Sequence, residues 1–469
     1  MSTRPRPSVS VIGAGISGLV AARELESRGL SVRVFEAEAR VGGKIATGTL
    51  HGMSIEEGPD SFLARDPCVS ELCAELGLGQ DLVAPTVFGA HILRGGRLVK
   101  LPSGLPYGIP ISAWSAYRTG TLSMMGALRA AAEPLAAGRL SGPDVSVASF
   151  ISRRFGREAL DRLVDPLLAG TRAGSTGEMS LAAALPAVDD AARNHRSASI
   201  ALRRARRTSG ESGGPPFLGL RGGLTRMVEA LRAGLGSVTT GAKVESLRAN
   251  AHSGYELTLS GGEKVPADGV VLTLPAYACA PLIAPLAPEA SRRLATIDHA
   301  SAAVISLVYP LGSLGLPPDG SGLLIPSSAG RMLSACTWFS QKWPHAAPAD
   351  GSRIVRAFVG RAGRTEALDL DDDELADRAT KELNDILGSD ARCDEARVSR
   401  WDRSLPQYEV GHLLRVSEIE ESLKRHPGVA VAGASYRGSG LPDCVRSARA
   451  AARAVARGLE TQVSTSSGA

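Results

Sequence analysis

The chain of 469 residues is poor in aromatic side chains, 4% of the total, and has only six cysteines. Cys68, Cys73, Cys279, Cys336, Cys393 and Cys444 are dispersed, with no C-x-x-C pair and no zinc-like spacing. They read as reduced thiols of a cytoplasmic protein, which excludes a disulfide-stapled scaffold, and no metal site is expected. No run of about 18 apolar residues occurs, so no transmembrane helix is expected. A first strand beginning by Val9 leaves no room ahead of it for an apolar targeting segment. The net charge of +5 is small for this length. With no concentrated basic tail and no basic patch interleaved with aromatics, nucleic acid is excluded as a partner. Peripheral membrane contact stays open.

What the chain does carry is concentrated first in Val9–Gly18, VSVIGAGISG. Val9, Val11 and Ile12 are β-branched and read as a short buried strand. Gly13, Gly15 and Gly18 follow at G-x-G-x-x-G spacing, and Leu19–Arg28 has helical character. Gly13 permits the tight turn, Gly15 lets a pyrophosphate approach the backbone, and Gly18 lets the helix pack on the sheet. The helix N-terminus then faces the phosphates. A second strand, Ser31–Phe35, ends in Glu36. An acid about 20 residues on is where a ribose hydroxyl is met. The expectation is a dinucleotide site.

At 43% hydrophobic and 22% charged the composition is globular, and the length suggests two or three domains. Residues 1–84 read as the first piece of a Rossmann-type α/β domain. Residues 85–216 read as a mainly helical subdomain, and 217–298 as the second Rossmann piece. An α+β substrate domain is expected over 299–394, the third Rossmann piece over 395–461 and a disordered tail over 462–469. Within the helical part, Trp114, Tyr117, Met124 and Met125 make an apolar stripe that reads as core packing, with a pocket cover or membrane-surface patch as the alternative. Asp144–Ile151 looks like a capped helix start. A further helix is expected to end at Asp165–Gly170, with Thr171–Ser175 in a loop. The cationic run Arg193, His195, Arg196, Arg203, Arg204, Arg206 and Arg207 reads as a solvated face, a minority being able to bind substrate carboxylates. Ser209–Pro216 is a flexible breaker, and the Gly-rich Gly433–Cys444 opens a helix over Asp443–Leu459.

Several blocks together carry a resemblance. EARVGGK (38–44), EGPDSF (57–62), DPLLAG (165–170), CTWFSQKWPHAAP (336–348), RWDRSLPQYEVGH (400–412) and GASYRGSGLPDC (433–444) are similar to the oxygen-dependent porphyrinogen oxidases of haem biosynthesis. That family, within the FAD-dependent amine oxidase superfamily, is resembled most in its soluble bacterial branch, over about residues 8–459. The resemblance implies non-covalent FAD. It would contact Gly13, Ala14, Gly15, Ile16, Ser17 and Gly18, then Glu36, Arg40, Gly43 and Lys44. Gly58, Pro59, Asp60 and Ser61 would line the ring, Val244 would meet the adenine, and Trp401, Gly440, Leu441 and Pro442 would complete the site. One departure stands out. The family pattern I/V-Y-A-G-D after the Pro-Leu-Leu turn is here TRAGS, so a Tyr has become Arg172 and an Asp has become Ser175. Both changes would favour an acidic substrate.

The activity implied is oxidation of coproporphyrinogen III to coproporphyrin III, with O₂ as acceptor and H₂O₂ released. Because the flavin carries the hard chemistry, no catalytic triad is expected, and His91, His299, His345 and His412 read as structural. Four propionates make coproporphyrinogen the better customer of an arginine-rich pocket than protoporphyrinogen IX, the alternative. An amine oxidase or carotenoid desaturase is the further alternative, and a porphyrin carrier that keeps FAD only structurally is a reading from another class. A transient contact with the next haem-pathway enzyme is a further open partner.

Overall fold

The computed structural model describes residues 6–466 other than 103, 137, 209–213 and 251–253, so most of the expected breaker at 209–216 lies outside the described residues. A strand at Ser8–Ile12, a helix at Ile16–Ser27 and a strand at Ser31–Phe35 open the chain as expected. Their sheet has five parallel strands in the order Val238–Thr239, Ser31–Phe35, Ser8–Ile12, Gly269–Leu272, Val429–Val431. Distant parts of the sequence therefore build one Rossmann-type layer. Val11 sits between Val34 and Val271, and such strands, buried on both faces, need the continuous β-branched runs seen here. The helix Ile16–Ser27 packs on the C-terminal helix Leu441–Ser466 through small residues, among them Ala21, Ala22, Ala448 and Ala452. That helix runs on into the segment expected to be disordered; no Gly or Pro occurs between Gly458 and Ser466 to stop it, and 467–469 lie outside the described residues.

The second sheet has seven strands, in the order Glu395–Pro406, His299–Tyr309, Arg353–Val359, Leu333–Thr337, Gly322–Leu324, His91–Arg94, Arg97–Lys100. This corrects two expected boundaries. The 91–100 hairpin leaves the helical subdomain, and strand 395–406 leaves the last Rossmann piece. Strand 395–406 is an edge strand with a largely exposed, polar pattern, so no apolar run marks it as part of a sheet. One face of this sheet, with Ile305, Leu307, Val355 and Ala357, is buried against Leu375, Ala379 and Leu383 of the helix Asp372–Leu387. The opposite face is set by register: Val304 opposes Phe358, Ser306 opposes Arg356, Phe358 opposes Ala335, and Ala335 opposes Leu324. Arg356 and Gly170 show where that face looks. Arg356 donates to the Gly58 carbonyl, and a Cβ at Gly170 would lie 3.2 Å from Leu324.

Three corrections fall in the helical part. The helix expected to end at Gly170 runs over Asp165–Arg172, following a π-helical turn at Leu160–Val164. Pro166 lies just past that turn inside a helical run continuous from Arg157, where the regular i→i−4 ladder is already interrupted. Ser146, not Asp144, caps the helix Val147–Phe155, and Asp144 instead accepts from the Gly411 N–H at 2.9 Å. Residues 113–136 form three short helices whose inner face is made of Ala113, Ala116, Ala127 and Ala130. The small residues take the core, and the large ones are turned out: Trp114 is 61% exposed, Met125 74% and Leu135 85%.

One buried ion pair ties these helices together. Glu133 is fully buried, lies 3.3 Å from Arg154, and accepts from the hydroxyls of Ser197 at 2.6 Å and Ser199 at 2.7 Å. Glu133→Ala strands the Arg154 charge, and guanidinium denaturation is expected to show a loss of about 3–5 kcal/mol. A loss of under about 1 kcal/mol, the worth of a surface pair, would remove Glu133 as the organiser of this subdomain.

Candidate active site

The glycine turn leaves one open backbone face. A Cβ on Gly18 would strike the Gly13 carbonyl oxygen at 1.9 Å, whereas one on Gly15 would meet nothing within 4 Å. Gly18 is thus required for packing, and Gly15 is free to meet a ligand. Glu36 stands at the end of its strand, where its carboxylate accepts the N–H groups of Ala14 at 2.7 Å and Glu38 at 3.0 Å. The turn leading to the buried Val244 lies beside it, with Ala242 N–H donating to the Glu36 carbonyl at 2.8 Å. Gly42 N–H donates to the Ala14 carbonyl at 2.8 Å, which docks the R-V-G-G loop on the glycine turn; a Cβ on Gly43 would lie 3.3 Å from Gly15. Arg40 spends its donors on the carbonyls of its own loop, Gly43 at 2.8 Å among them, and lies 6.0 Å from the Trp401 ring. The Lys44 ammonium has no hydrogen-bond or ion-pair partner among the described residues, and burial lowers its pKa. An open glycine turn, a carboxylate at the strand end and an unpartnered cation together fit a dinucleotide.

Ile16 begins the helix and is buried. The Ser17 hydroxyl donates to the Cys444 carbonyl at 3.3 Å, so it joins two helices rather than facing the open turn. Leu441 and Pro442 are buried at the start of the C-terminal helix, where the Pro442 carbonyl accepts from the Cys68 thiol, and Gly440 is exposed beside Asp443. In the 58–61 loop, Asp60 turns its carboxylate toward Lys342 at 2.8 Å, Trp343 Nε1 at 3.3 Å and Arg356 at 3.6 Å. Ser61 donates to Asp60 at 2.8 Å, and the Gly58 carbonyl accepts from Arg356 at 2.6 Å. Burial opposes ionisation of Asp60, yet the charges of Lys342 and Arg356 outweigh it and hold the carboxyl below the usual range. Trp401 Nε1 donates to the Glu57 carbonyl at 2.8 Å, which anchors the same loop from the edge strand.

Arg356 and Glu56 escaped the sequence reading. A signal existed: Arg356 is the one charged residue inside the run IVRAFV, and a charge there requires a partner. Glu56 accepts from Leu224 N–H at 2.6 Å and from the Thr47 hydroxyl at 2.9 Å. Burial pushes its carboxyl up to about 7, the hydrogen bonds opposing.

A cavity of about 300 Å³ is lined by Ser175, Glu178, Asp298, His299, Tyr408 and Glu409, among others. It gives the expected arginine-rich pocket a different character. The cationic helix Ala198–Thr208 has its arginines exposed, and three carboxylates line the cavity. Arg172 is not part of its lining; its guanidinium lies 5.9 Å from the Tyr408 ring, with Nη2 donating to the Ala184 carbonyl. His299 bonds the Ile297 carbonyl at 2.9 Å and the Ser435 hydroxyl at 3.1 Å, and burial lowers its pKa to about 4. Tyr408 donates to the Ala434 carbonyl, accepts the Gly438 N–H at 3.0 Å, and stacks on His412. Burial, with Asp298 and Glu178 adding to it, raises the Glu409 carboxyl.

This geometry coincides with similarity to known proteins. Residues 16–456 match the flavin containing amine oxidoreductase family. The chain belongs to that family. FAD is accordingly its cofactor, and the residues at the glycine turn fit it. Coproporphyrinogen III oxidase of Bacillus subtilis is 35% identical over 94% of this chain and 96% of its own length. The enzyme of the same name from Propionibacterium freudenreichii is 34% identical over 94% of this chain and 89% of its own. A crystal structure from Exiguobacterium sp. 255-15, provisionally named a protoporphyrinogen oxidase, superposes with a TM-score of 0.85 at 30% identity, covering 98% of this chain and all of that one.

Glu56 yields a pH test. Its folded pKa of about 7 lies above the ordinary 4.5, so the folded state holds the proton more tightly. That stabilisation, about 3 kcal/mol, is full below pH 4.5 and lost as pH rises through 7. Glu56→Gln is expected to flatten this part of the stability profile, measured by denaturation from pH 4 to 8. Parallel profiles for the two proteins would contradict the assignment.

Proposed function

We propose that this protein oxidises coproporphyrinogen III to coproporphyrin III in cytoplasmic haem biosynthesis, with O₂ as electron acceptor and H₂O₂ released. The observation that carries the reading is the end-to-end similarity to the Bacillus subtilis enzyme. The site supports it. The cavity beside His299 and Tyr408 is bordered by the turn at Ala362, Gly363 and Thr365 that follows the strand Arg353–Val359 of the seven-stranded sheet. Bound FAD supplies the hydride acceptor. Each round would remove one hydride and one proton, and over three rounds, with tautomerisation of the ring, the hexahydro macrocycle loses four hydrogens from its meso carbons and two from its pyrrole nitrogens to become the porphyrin. His299 is neutral near pH 7 and stays a hydrogen-bonding wall. Glu178, Asp298 and Glu409 are the groups placed to receive protons, and burial raises the Glu409 carboxyl. Arg172, beside the Tyr408 ring, is the cation nearest to hand for a propionate. All six cysteines are unpaired, in keeping with a cytoplasmic setting.

A second reading, protoporphyrinogen IX, is favoured by the three cavity carboxylates, which repel a substrate with four propionates more than one with two. FAD-loaded protein is assayed aerobically on both porphyrinogens by porphyrin fluorescence. The first reading expects kcat/KM at least tenfold higher for coproporphyrinogen III, and expects Arg172→Met to raise its KM several-fold. A preference for protoporphyrinogen IX supports the second, and turnover of neither overturns both.

The reading extends to a membrane surface. Among the described residues no helix is long and apolar enough to cross a membrane. Trp114, Met124, Met125, Leu128 and Leu135 are all exposed on the short helices of 113–136, an outward apolar set that suits shallow interfacial insertion. Sedimentation with anionic vesicles is expected to carry down the parent protein and not Trp114→Ser/Met125→Ser. Equal sedimentation of both would discard the contact and leave that face to the next enzyme of the pathway.

A further inference from the structure

We infer that a second cavity, behind the substrate cavity and separate from it, binds a multivalent oxyanion. The cavity has a volume of about 800 Å³, and its lining includes Arg331, Arg361, Arg364, Arg378, Lys381 and Glu382. The turn over 360–367 divides it from the cavity beside Tyr408. Ala362, Gly363 and Thr365 line the first cavity, and Gly360, Arg361, Arg364 and Glu366 line the second.

Arg361 is the centre of the argument. Its side chain is only 7% exposed. Nη2 donates to the Ile325 carbonyl, but Nε and Nη1 have no hydrogen-bond partner. Leaving charged donors buried and unpaired is costly, so a guanidinium placed in this way requires a counter-group. The nearest negative charges are Asp165 and Glu382. Both are already engaged. Asp165 accepts from Thr176 at 2.9 Å and from Ser327, and Glu382 accepts the N–H groups of Met332 at 3.0 Å and Leu333 at 2.9 Å.

The surrounding cations divide the same way. Arg331 is paired with Asp385, and Arg378 with Glu374. Arg364 has one long bond, 3.4 Å, to the Ser327 carbonyl, and Lys381 has no ion-pair partner among the described residues. One buried forked donor backed by two exposed cations is a phosphate or carboxylate receptor. The volume admits an organic ligand that carries such groups. The turn also donates the Ala362 N–H to the Ala173 carbonyl at 2.6 Å, next to Arg172, so an anion here would brace a wall of the substrate cavity.

The test uses FAD-loaded protein titrated calorimetrically with inorganic phosphate and, separately, citrate, at constant ionic strength against chloride. One saturable site per chain is expected for at least one of the two. Phosphate alone points to a phosphorylated ligand and citrate alone to a polycarboxylate, and either upholds the site. Affinity is expected to fall at least tenfold in Lys381→Met/Arg364→Gln, whose exposed positions leave the fold intact, and to vanish in Arg361→Met. No binding beyond that of chloride, or parental affinity in the exposed double variant, would overturn the inference.

Discussion

The buried attraction between Asp60 and the Arg356–Lys342 pair holds the two sheets in working relation. Arg356 rises from the seven-stranded sheet and Lys342 from the segment following strand Leu333–Thr337. Asp60 belongs to the loop that leaves the Rossmann domain's first piece. Three charges are removed from water here, a cost repaid only because each is bonded: Arg356 to the Gly58 carbonyl, Lys342 and Trp343 to Asp60. The loop backbone is thereby held between the sheet and the Lys44 carbonyl, with Trp401 anchoring it from the edge strand. Glu56 lies next to this network and is kept from full ionisation by burial. The placement of this loop thus follows from an ion network.

Much of this was legible in the sequence because it rests on local rules. The strand–glycine–helix opening, the Glu36 position and the R-V-G-G loop all depend on backbone freedom, and a glycine leaves that trace in the letters themselves. The parallel strands were legible as β-branched runs. What escaped depends on partners remote in sequence. Strand 395–406 is polar because it is an edge, and only its pairing with 299–309 shows it to be sheet. Trp114 and Met125 have core-like side chains, but the alanines beside them fill the inner space. The ion partners of Asp60 lie about three hundred positions on, at Lys342 and Arg356.

The substrate cavity shows the same division. Its histidine and tyrosine act as wall, both bonded to main-chain carbonyls. Its charges come from carboxylates, while the arginine-rich helix faces solvent. Charge counted along a sequence gives no account of which side of a helix faces a ligand. Arg172 is the exception: the helix that runs past Gly170 carries it to the Tyr408 ring and sets its cation at the helix C-terminus, where the dipole favours it.

The most direct test of the ion network is a double-mutant cycle on Asp60→Asn and Arg356→Met, read as FAD affinity and unfolding free energy. The account predicts that each single variant binds FAD at least tenfold more weakly than the parent. It also predicts that the double variant loses less than the two singles combined, because removing both partners leaves no stranded charge. Additive losses, or parental FAD affinity in either single variant, would contradict it.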